Sequence, residues 1–347
     1  MTTYKEDLEI RQIIKIDKIL DDMPDFVYEF IKGIEHTTAP STRLSYLYDL
    51  RLFLTFLTST ILDSNKIMDI TLSDLQRLST RNIEKFMIYI TNYEVTTSSG
   101  NKIQYQNRNI SKARKLATIK SMFKYLNKRN KIDSNPAGLI DMPKQTKKVI
   151  VKLDTDEIPK LLNVIETGKS LSMKALHYQD KTRLRDIAIV SLMLGTGIRV
   201  SECIGININD VNLPKSEVTI TRKGGNQTII YFGSEVKEAL LNYYQERKLR
   251  QKDNPDGPLF LSLQKKRISI RMVEILIKKY CVKVTKTKKI TPHKLRSTYG
   301  TYLYQQTGDI YLVADILGHK DINTTQKYYA SMSEEKRKGA ANIVKLH

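Results

Sequence analysis

Six side chains in the second half of the chain are of the types that bind a phosphate and transfer it. They are Arg199, Lys223, His293, Arg296, His319 and Tyr328. Two guanidinium groups can hold both non-bridging oxygens of one phosphate through charge-assisted, often bidentate hydrogen bonds. They also stabilise the additional negative charge of a five-coordinate phosphoryl transition state. The set therefore predicts chemistry at a phosphodiester.

Tyr328 is the candidate nucleophile of this set. A phenol with an ordinary pKa of about 10 attacks poorly at neutral pH unless cations stabilise its phenolate or a base takes its proton. An imidazole such as His293 can act as that base, and a lysine can protonate the leaving 5′ oxygen. The product would be a 3′-phosphotyrosine that keeps the bond energy for religation. This scheme needs neither a metal nor a cofactor.

Four segments together resemble the motifs of the tyrosine recombinase family, the phage-type integrases and Xer-like site-specific recombinases. The run Gly-Ile-Arg-Val-Ser-Glu at 197–202 resembles the box of the first arginine, and Arg-Lys-Gly-Gly-Asn at 222–226 resembles the β-hairpin lysine. His-Lys-Leu-Arg at 293–296 resembles the His-x-x-Arg box. Residues 317–319 with 324–328 resemble the final box. His-x-x-Arg alone is a weak signal, so the prediction depends on finding all boxes in order and at family spacing.

The resemblance implies a role for each residue. Arg199 and Arg296 would bind the scissile phosphate, Lys223 would be the general acid, His293 and His319 would assist proton transfer and orientation, and Tyr328 would be the nucleophile. Spacing from His319 favours Tyr328 over the adjacent Tyr329. Taken singly, Arg199 is more typical of a salt-bridged core arginine, and Lys223 is more typical of a solvated turn lysine.

Hydrophobic periodicity predicts helices through most of the chain. The segment Thr96–Gln106 is polar and contains glycine, so it is predicted to be a loop and the first half to be all-helical. In the second half, the β-branched and aromatic runs at 218–221 and 228–232 flank a Gly-rich turn, which predicts a hairpin. The fold class is therefore mainly α: a helical N-terminal domain, and an α-rich catalytic domain with a small antiparallel β-sheet.

Proline and repelling lysines between Asn135 and Lys152 indicate an exposed connector. We place an acidic helical extension at 1–35, a helical domain at 36–142, the linker at 143–153 and the catalytic domain at 154–347. The resemblance makes 36–142 the core-binding, DNA-contacting domain. It also implies that residues 331–347 pack against a neighbouring subunit.

The net charge of +21 is concentrated in two internal blocks. Residues 101–150 carry 13 Lys and Arg against 2 Asp and Glu, and residues 251–300 carry 13 against 3. One basic face in each half is typical of a clamp that neutralises backbone phosphates from both sides. On the helix that ends near Arg129, the lysines expected on the solvent or DNA side are Lys112, Lys115, Lys120 and Lys124.

Composition excludes several other classes of protein. No run approaches the roughly 18 apolar residues of a spanning helix, and the acidic-leaning N-terminus lacks the order of a signal peptide. The two cysteines cannot build a disulfide framework, and no Cys/His cluster has zinc spacing. These features favour a folded protein of the reducing cytoplasm, associated with the nucleoid.

The resemblance implies double-stranded DNA with inverted half-sites as the partner and a tetramer as the active assembly. The expected function is site-specific integration or excision of a mobile element through a 3′-phosphotyrosine. Resolution of chromosome or plasmid dimers is an alternative, and a type IB topoisomerase is a weaker one. A DNA-binding regulator with a degenerate catalytic domain is the non-enzymatic alternative, against which the complete polar set argues.

Overall fold

The computed structural model divides into two compact units, Met1–Lys147 and Lys148–His347. The structure describes residues 4–62, 66–96, 100–144, 150–222, 224–250 and 257–319. The division falls within the stretch 143–153 that contains proline and lysine. Each unit buries its own set of apolar side chains.

Over the described residues, the first unit contains α-helices, two short 3-10 helices and one β-hairpin. The α-helices are α1 (Tyr4–Leu20), α2 (Asp25–Gly33), α3 (Pro40–Thr60), α4 (Leu72–Gln76), α5 (Thr80–Tyr89) and α6 (Asn109–Lys128). The 3-10 helices are Ile67–Asp69 and Pro136–Leu139. Reciprocal caps fix the start of α4, where the Asp74 carboxylate accepts the backbone N–H of Thr71 at 2.9 Å and the Thr71 hydroxyl accepts that of Asp74.

The core of the first unit is built on α3, whose apolar stripe faces the other helices. Phe53 of α3 lies edge-on to Phe86 of α5, with ring centroids 5.0 Å apart, and it also contacts Phe123 of α6. The same core takes Phe30 and Ile31 of α2, which are fully buried. Residues 4–35, predicted as an N-terminal extension, contribute apolar side chains to this core, and most of their acidic groups face solvent.

A β-hairpin lies where the sequence predicted a loop. Strands β1 (Asn92–Thr96) and β2 (Lys102–Gln106) pair antiparallel, and the all-helical expectation for the first half is wrong at this point. Tyr93 stands opposite Tyr105, with stacked rings 5.3 Å apart. The strands do alternate polar and apolar residues, as Asn-Tyr-Glu-Val-Thr and Lys-Ile-Gln-Tyr-Gln, but each is only five residues long and both are largely solvent-exposed. The polar, glycine-containing segment between them led to the loop prediction.

The second unit is mainly α with one small sheet. Over the described residues its helices are α7 (Glu157–Thr167), α8 (Met173–Asp180), α9 (Arg183–Thr196), α10 (Val200–Gly205), a 3-10 turn (Ile208–Asp210), α11 (Ser234–Arg250), α12 (Ile270–Val284), α13 (Pro292–Thr307) and α14 (Ile310–Leu317). Its strands are β3 (Val211–Asn212), β4 (Glu217–Thr221) and β5 (Gln227–Tyr231), in the order β3-β4-β5. The predicted fold class and the predicted hairpin are confirmed.

Helix α9 is the centre of the second unit and packs against α7, α11 and α13. Ile189, Val190 and Leu192 are all fully buried although they point in different directions, as expected for a helix enclosed on several sides. Its buried carboxylate, Asp186, is fully used: it accepts from Arg185, from Thr182 and, at 2.9 Å, from the Tyr280 hydroxyl. This arrangement fixes the start of α9 in the second unit.

The polar stretch 167–181 forms α8 and closes the end of α7. Gly168 ends α7 in the left-handed conformation, with φ +70°. The buried Gln179 side chain donates from Nε2 to the carbonyls of Ile165 at 2.6 Å and Glu166 at 3.2 Å. These are carbonyls that a helix end leaves without partners, so this segment has a structural role.

Among the described residues, no helix combines the length and apolarity required to cross a membrane.

Candidate active site

Arg199 lies at the turn between α9 and α10, immediately after a left-handed glycine. Gly197 has φ +65°, which lets the chain reverse direction between the two helices. The backbone N–H of Arg199 donates to Glu202 Oε2 at 2.8 Å, and its Nη1 donates to Glu202 Oε1 at 2.8 Å. The Glu202 side chain is 5% exposed and that of Arg199 is 39% exposed. Glu202 therefore fixes one edge of this guanidinium, while the side chain stays partly exposed.

Arg296 approaches the same place from α13 and is buried, with 4% of its surface exposed. Pro292 occupies the first turn of α13, where its missing N–H has no helical partner to lose. One turn further on, Arg296 donates from Nη1 to the Gly197 carbonyl at 2.6 Å and from Nη2 to the Leu317 carbonyl. The guanidinium thus connects the end of α9 with the end of α14.

The carbonyl end of α14 collects three guanidinium groups from three different elements. Besides Arg296 on Leu317, Arg199 Nη2 donates to the Gly318 carbonyl at 3.3 Å. Arg222, at the end of β4, donates to the carbonyls of Ile316 at 2.9 Å and Asp315 at 3.3 Å. A helix C-terminus carries a partial negative charge and has unpaired carbonyls, so it holds these cations together before any anion is bound.

Two glycines make this close approach possible. Gly318 ends α14 with φ +60°, and a Cβ there would overlap the Arg222 guanidinium. A Cβ on Gly197 would overlap the Tyr299 ring and come within 2.9 Å of Leu317 Cδ2. At both positions the left-handed conformation also favours glycine over any other residue.

Both histidines of the set lie beside these cations. Desolvation lowers the pKa of His319 to about 4, and the charges of Arg296 and Arg199 add to this effect. Desolvation also lowers the pKa of His293, as do the neighbouring Lys294 and Arg296. Both imidazoles are therefore neutral near pH 7 and can accept a proton. A phosphate anion placed among them would raise both pKa values.

The structure brings four of the six predicted residues into this cluster: Arg199, His293, Arg296 and His319. Lys223 and Tyr328 lie outside the described residues, as does the segment 331–347. Arg222 was missed as a member of the cluster. Its place beside Lys223 in the hairpin motif was a signal, but its partners are 93 and 94 residues away in sequence.

The predicted DNA-facing lysines of α6 differ in their surroundings. Lys124 is exposed, whereas Lys112 donates to the Thr91 hydroxyl and Lys120 to the Gly138 carbonyl, both at 3.3 Å. Lys115 does not lie on the solvent side as expected, because only 7% of its surface is exposed. Its amine donates to Asn107 Oδ1 at 3.3 Å, and desolvation lowers its pKa.

Near Lys115, the buried Asp49 of α3 accepts both the Arg114 guanidinium and the Thr118 hydroxyl of α6. Burial raises the pKa of Asp49, and the Arg114 charge opposes that rise. Lys115 therefore takes part in the buried polar contacts of the first unit. In the sequence it lies next to the apolar stripe of α6, at the edge of the face that becomes buried.

The cluster in the second unit has the composition of a phosphate site: fixed guanidiniums, neutral imidazoles and a helix end that positions them. The chain was compared with known proteins on this basis. The model of the phage integrase family matches residues 152–335. The tyrosine recombinase XerS of Streptococcus pneumoniae (strain ATCC 700669 / Spain 23F-1) is 31% identical, over 93% of this chain and 96% of that protein. XerS of Lactococcus lactis subsp. lactis (strain IL1403) is also 31% identical, over 95% and 98%.

Solved structures show the same fold at lower identity. XerH recombinase, in a post-cleavage complex with its palindromic difH substrate, superposes with a TM-score of 0.66 at 19% identity, covering 88% of this chain and 80% of that chain. A lambda integrase dimer bound to a core site gives a TM-score of 0.62 at 16% identity, covering 89% and 96%. The chain belongs to the phage integrase family, the tyrosine recombinases. It is a tyrosine-type site-specific recombinase, a DNA breaking-rejoining enzyme.

Proposed function

We propose that this recombinase cuts and rejoins DNA at one specific site through a 3′-phosphotyrosine at Tyr328. The observation that carries the proposal is the convergence of Arg199 and Arg296 on the carbonyl turn at 317–318, next to His319. Tyr328 follows His319 by nine residues in the sequence. Two guanidiniums gathered at one point match the two non-bridging oxygens of a single phosphate.

In this scheme a named residue accounts for each bond change and each proton transfer of the cleavage step. Tyr328 Oη attacks the phosphorus, and the bond from phosphorus to the 5′ oxygen breaks with its electron pair on that oxygen. Lys223 gives the oxygen a proton, and neutral His293 takes the phenol proton. Arg199 and Arg296 stabilise the charge that builds on the non-bridging oxygens. Attack by the 5′ hydroxyl of a partner strand reverses the step and completes strand exchange.

The partner in this proposal is double-stranded DNA with inverted half-sites, bound by one protomer each and joined in a tetramer. Related structures support this: XerH is bound to a palindromic substrate, and a lambda integrase tetramer is bound to a Holliday junction. The first unit would serve as the core-binding domain, with Lys112, Lys120 and Lys124 of α6 near the phosphates. We expect the protein in the cytoplasm, with the nucleoid.

For the biological task, similarity to XerS over almost the whole chain favours resolution of chromosome or plasmid dimers. Integration or excision of a mobile element stays a prediction. A recombination assay distinguishes these two tasks. Two copies of the protein's DNA site, selected by binding, are placed either in direct repeat on one plasmid or on two separate plasmids. A resolving enzyme converts the first substrate efficiently and accumulates few joined plasmids from the second. Efficient joining of separate plasmids would favour integration.

The nucleophile is tested with a nicked suicide duplex, in which a short fragment leaves after cleavage and traps the covalent complex. The DNA site is first selected from a library of inverted repeats by binding. We expect a covalent adduct with the unmodified protein and with Tyr329→Phe, and none with Tyr328→Phe. Loss of the adduct with Tyr329→Phe alone would transfer the role to Tyr329.

A relaxation assay addresses the topoisomerase alternative. A type IB topoisomerase relaxes supercoiled DNA of any sequence, whereas a site-specific recombinase needs its site and a partner duplex. We expect no relaxation of a supercoiled plasmid that lacks the selected site. Rapid relaxation of that plasmid, abolished by Tyr328→Phe, would support the topoisomerase instead.

A further inference from the structure

The turn that carries Lys223 is tied to the rest of the second unit through Arg222. The turn closes on itself, with the Arg222 N–H donating to the Asn226 carbonyl at 2.8 Å and the Gly225 N–H donating to the Arg222 carbonyl at 3.1 Å. Within the part of the chain that the structure describes, no atom lies within 4 Å of an added Cβ at Gly224 or Gly225. Among the described residues, the turn's hydrogen bonds to the rest of the chain come from the Arg222 guanidinium.

The partners of Arg222 are the last carbonyls of α14, directly before His319. Its Nη2 donates to Ile316 at 2.9 Å and its Nη1 to Asp315 at 3.3 Å. The guanidinium occupies space that Gly318 leaves open, since a Cβ at this position would overlap it. Its charge also acts on His319, whose pKa it helps to lower. Arg222 therefore links the lysine-bearing turn to the histidine-bearing turn.

We propose that Arg222 is a positioning residue that holds the β4–β5 turn against the end of α14, so that Lys223 reaches the leaving 5′ oxygen. The inference rests on the proposed function, in which Lys223 protonates that oxygen. General acid catalysis needs the proton donor within hydrogen-bond reach of the leaving oxygen, so the turn that contributes the donor must be held in place. A guanidinium suits this task because its planar donors bind two carbonyls at once.

A sulfur-substituted substrate separates this role from a general structural one. In a 5′-bridging phosphorothiolate, sulfur replaces the 5′ oxygen at the scissile bond. The bond from phosphorus to sulfur breaks with its electron pair on sulfur, which leaves as a thiolate. Thiols lose their proton at a pH of about 8.5, so this leaving group needs no acid at neutral pH. A defect in proton delivery is therefore relieved, whereas a defect in phosphate binding persists.

The experiment compares single-turnover cleavage of an oxygen and a sulfur suicide duplex, both carrying the selected site. We expect Arg222→Gln to slow cleavage of the oxygen substrate by roughly 10- to 100-fold, within the range that general acid catalysis contributes, and to cleave the sulfur substrate nearly normally. Arg222→Lys keeps a cation near the Ile316 carbonyl and should recover part of the rate. Arg296→Gln should stay slow on both substrates.

Glycine variants give a second route if Arg222→Gln folds poorly. Gly318→Ala displaces the guanidinium, and Gly168→Ala is its matched control at another left-handed helix end of the same unit. Both variants bear the cost of a left-handed alanine, about 1 kcal/mol. Only Gly318→Ala should show the sulfur-relieved cleavage defect.

The outcomes separate the inference from the function it rests on. Lys223→Ala relieved by sulfur while Arg222→Gln is slow on both substrates, or slow on neither, contradicts the positioning role alone. If sulfur does not relieve Lys223→Ala, the lysine is not the general acid, and both its proposed role and that of Arg222 fail. If the covalent adduct still forms with Tyr328→Phe, the assignment of Tyr328 as the nucleophile is wrong.

Discussion

Two helix ends in the second unit have the same backbone design and different partners. Helices α7 and α14 both end at a left-handed glycine, Gly168 with φ +70° and Gly318 with φ +60°. At α7 the last carbonyls are bound by the neutral amide of Gln179. At α14 they are bound by three guanidiniums, those of Arg199, Arg222 and Arg296.

The comparison shows how many donors the last carbonyls of a helix require and how many are present at α14. One buried amide is sufficient to satisfy the carbonyls at the end of a helix, as α7 demonstrates. Three guanidiniums at the end of α14 exceed that need, and of these Arg199 also pairs with the Glu202 carboxylate. These additional guanidiniums support our proposal that a phosphate is bound at the end of α14.

The largest expected difference between the two ends is in catalysis. Arg296→Gln should lower the rate of adduct formation on the suicide duplex by about 10²- to 10³-fold, because it removes a charged donor to the transition state. The control is Arg267→Gln, which removes a guanidinium from the carbonyls of Ile204 and Ile206 at the end of α10. That variant should lose stability and keep its cleavage rate per folded molecule. Equal rates for the two variants would contradict a special role for α14.

The next effect is the pH dependence of stability. The pKa of His319 is about 4 in the folded chain, against about 6.5 when unfolded. The unfolded state therefore binds the extra proton first, and His319 destabilises the fold as the pH falls from about 6.5 towards 4. The His319→Gln variant lacks this contribution. Between pH 7 and 4.5 its free energy of unfolding should therefore fall by roughly 1–2 kcal/mol less than that of the unmodified protein. Urea titrations at each pH measure it, and parallel curves would argue against a half-buried, neutral imidazole at this position.

At the end of α7 the expected effect is structural only. Gln179→Ala removes two hydrogen bonds to buried carbonyls and should lower the free energy of unfolding by about 1–2 kcal/mol. Adduct formation by the folded variant should match that of the unmodified protein. A cleavage defect of tenfold or more would mean that α8 acts on the site after all.

The smallest effect concerns DNA binding. A phosphate near His319 raises its pKa, so binding takes up protons and affinity for the selected site should increase several-fold between pH 8 and pH 5.5. Fluorescence anisotropy at constant salt measures this, because salt alone changes phosphate binding strongly. His319→Gln should flatten the pH dependence, and an unchanged slope would place the proton uptake elsewhere.

Several features of the molecule could be predicted from residue type and spacing alone. Glycine at positions 197 and 318, proline at 292 and the apolar stripes predict helix ends and helices, because these preferences act within one turn of the chain. The second-unit hairpin could be predicted because β-branched runs flank a Gly-rich turn. The hairpin β1–β2 was missed although its strands alternate polar and apolar residues, because each strand is only five residues long and flanks a polar, glycine-containing segment typical of a loop.

The sequence alone determined which types of residue form the site. Only the tertiary structure determined how they are arranged. Arg199, His293, Arg296 and His319 were predicted from motifs whose residue types suit a phosphate. That their common support is the carbonyl end of α14, and that Arg222 shares it, follows only from packing. The burial of Lys115 was decided in the same way, by the closeness of α3 and α6.

The physical reason is the range of the forces involved. Backbone preferences and hydrophobic periodicity are local, so one sequence read in order is sufficient to determine them. Hydrogen bonds between a guanidinium and a carbonyl 94 residues away exist only after the helices have packed, because only then do the two groups meet in a place shielded from water.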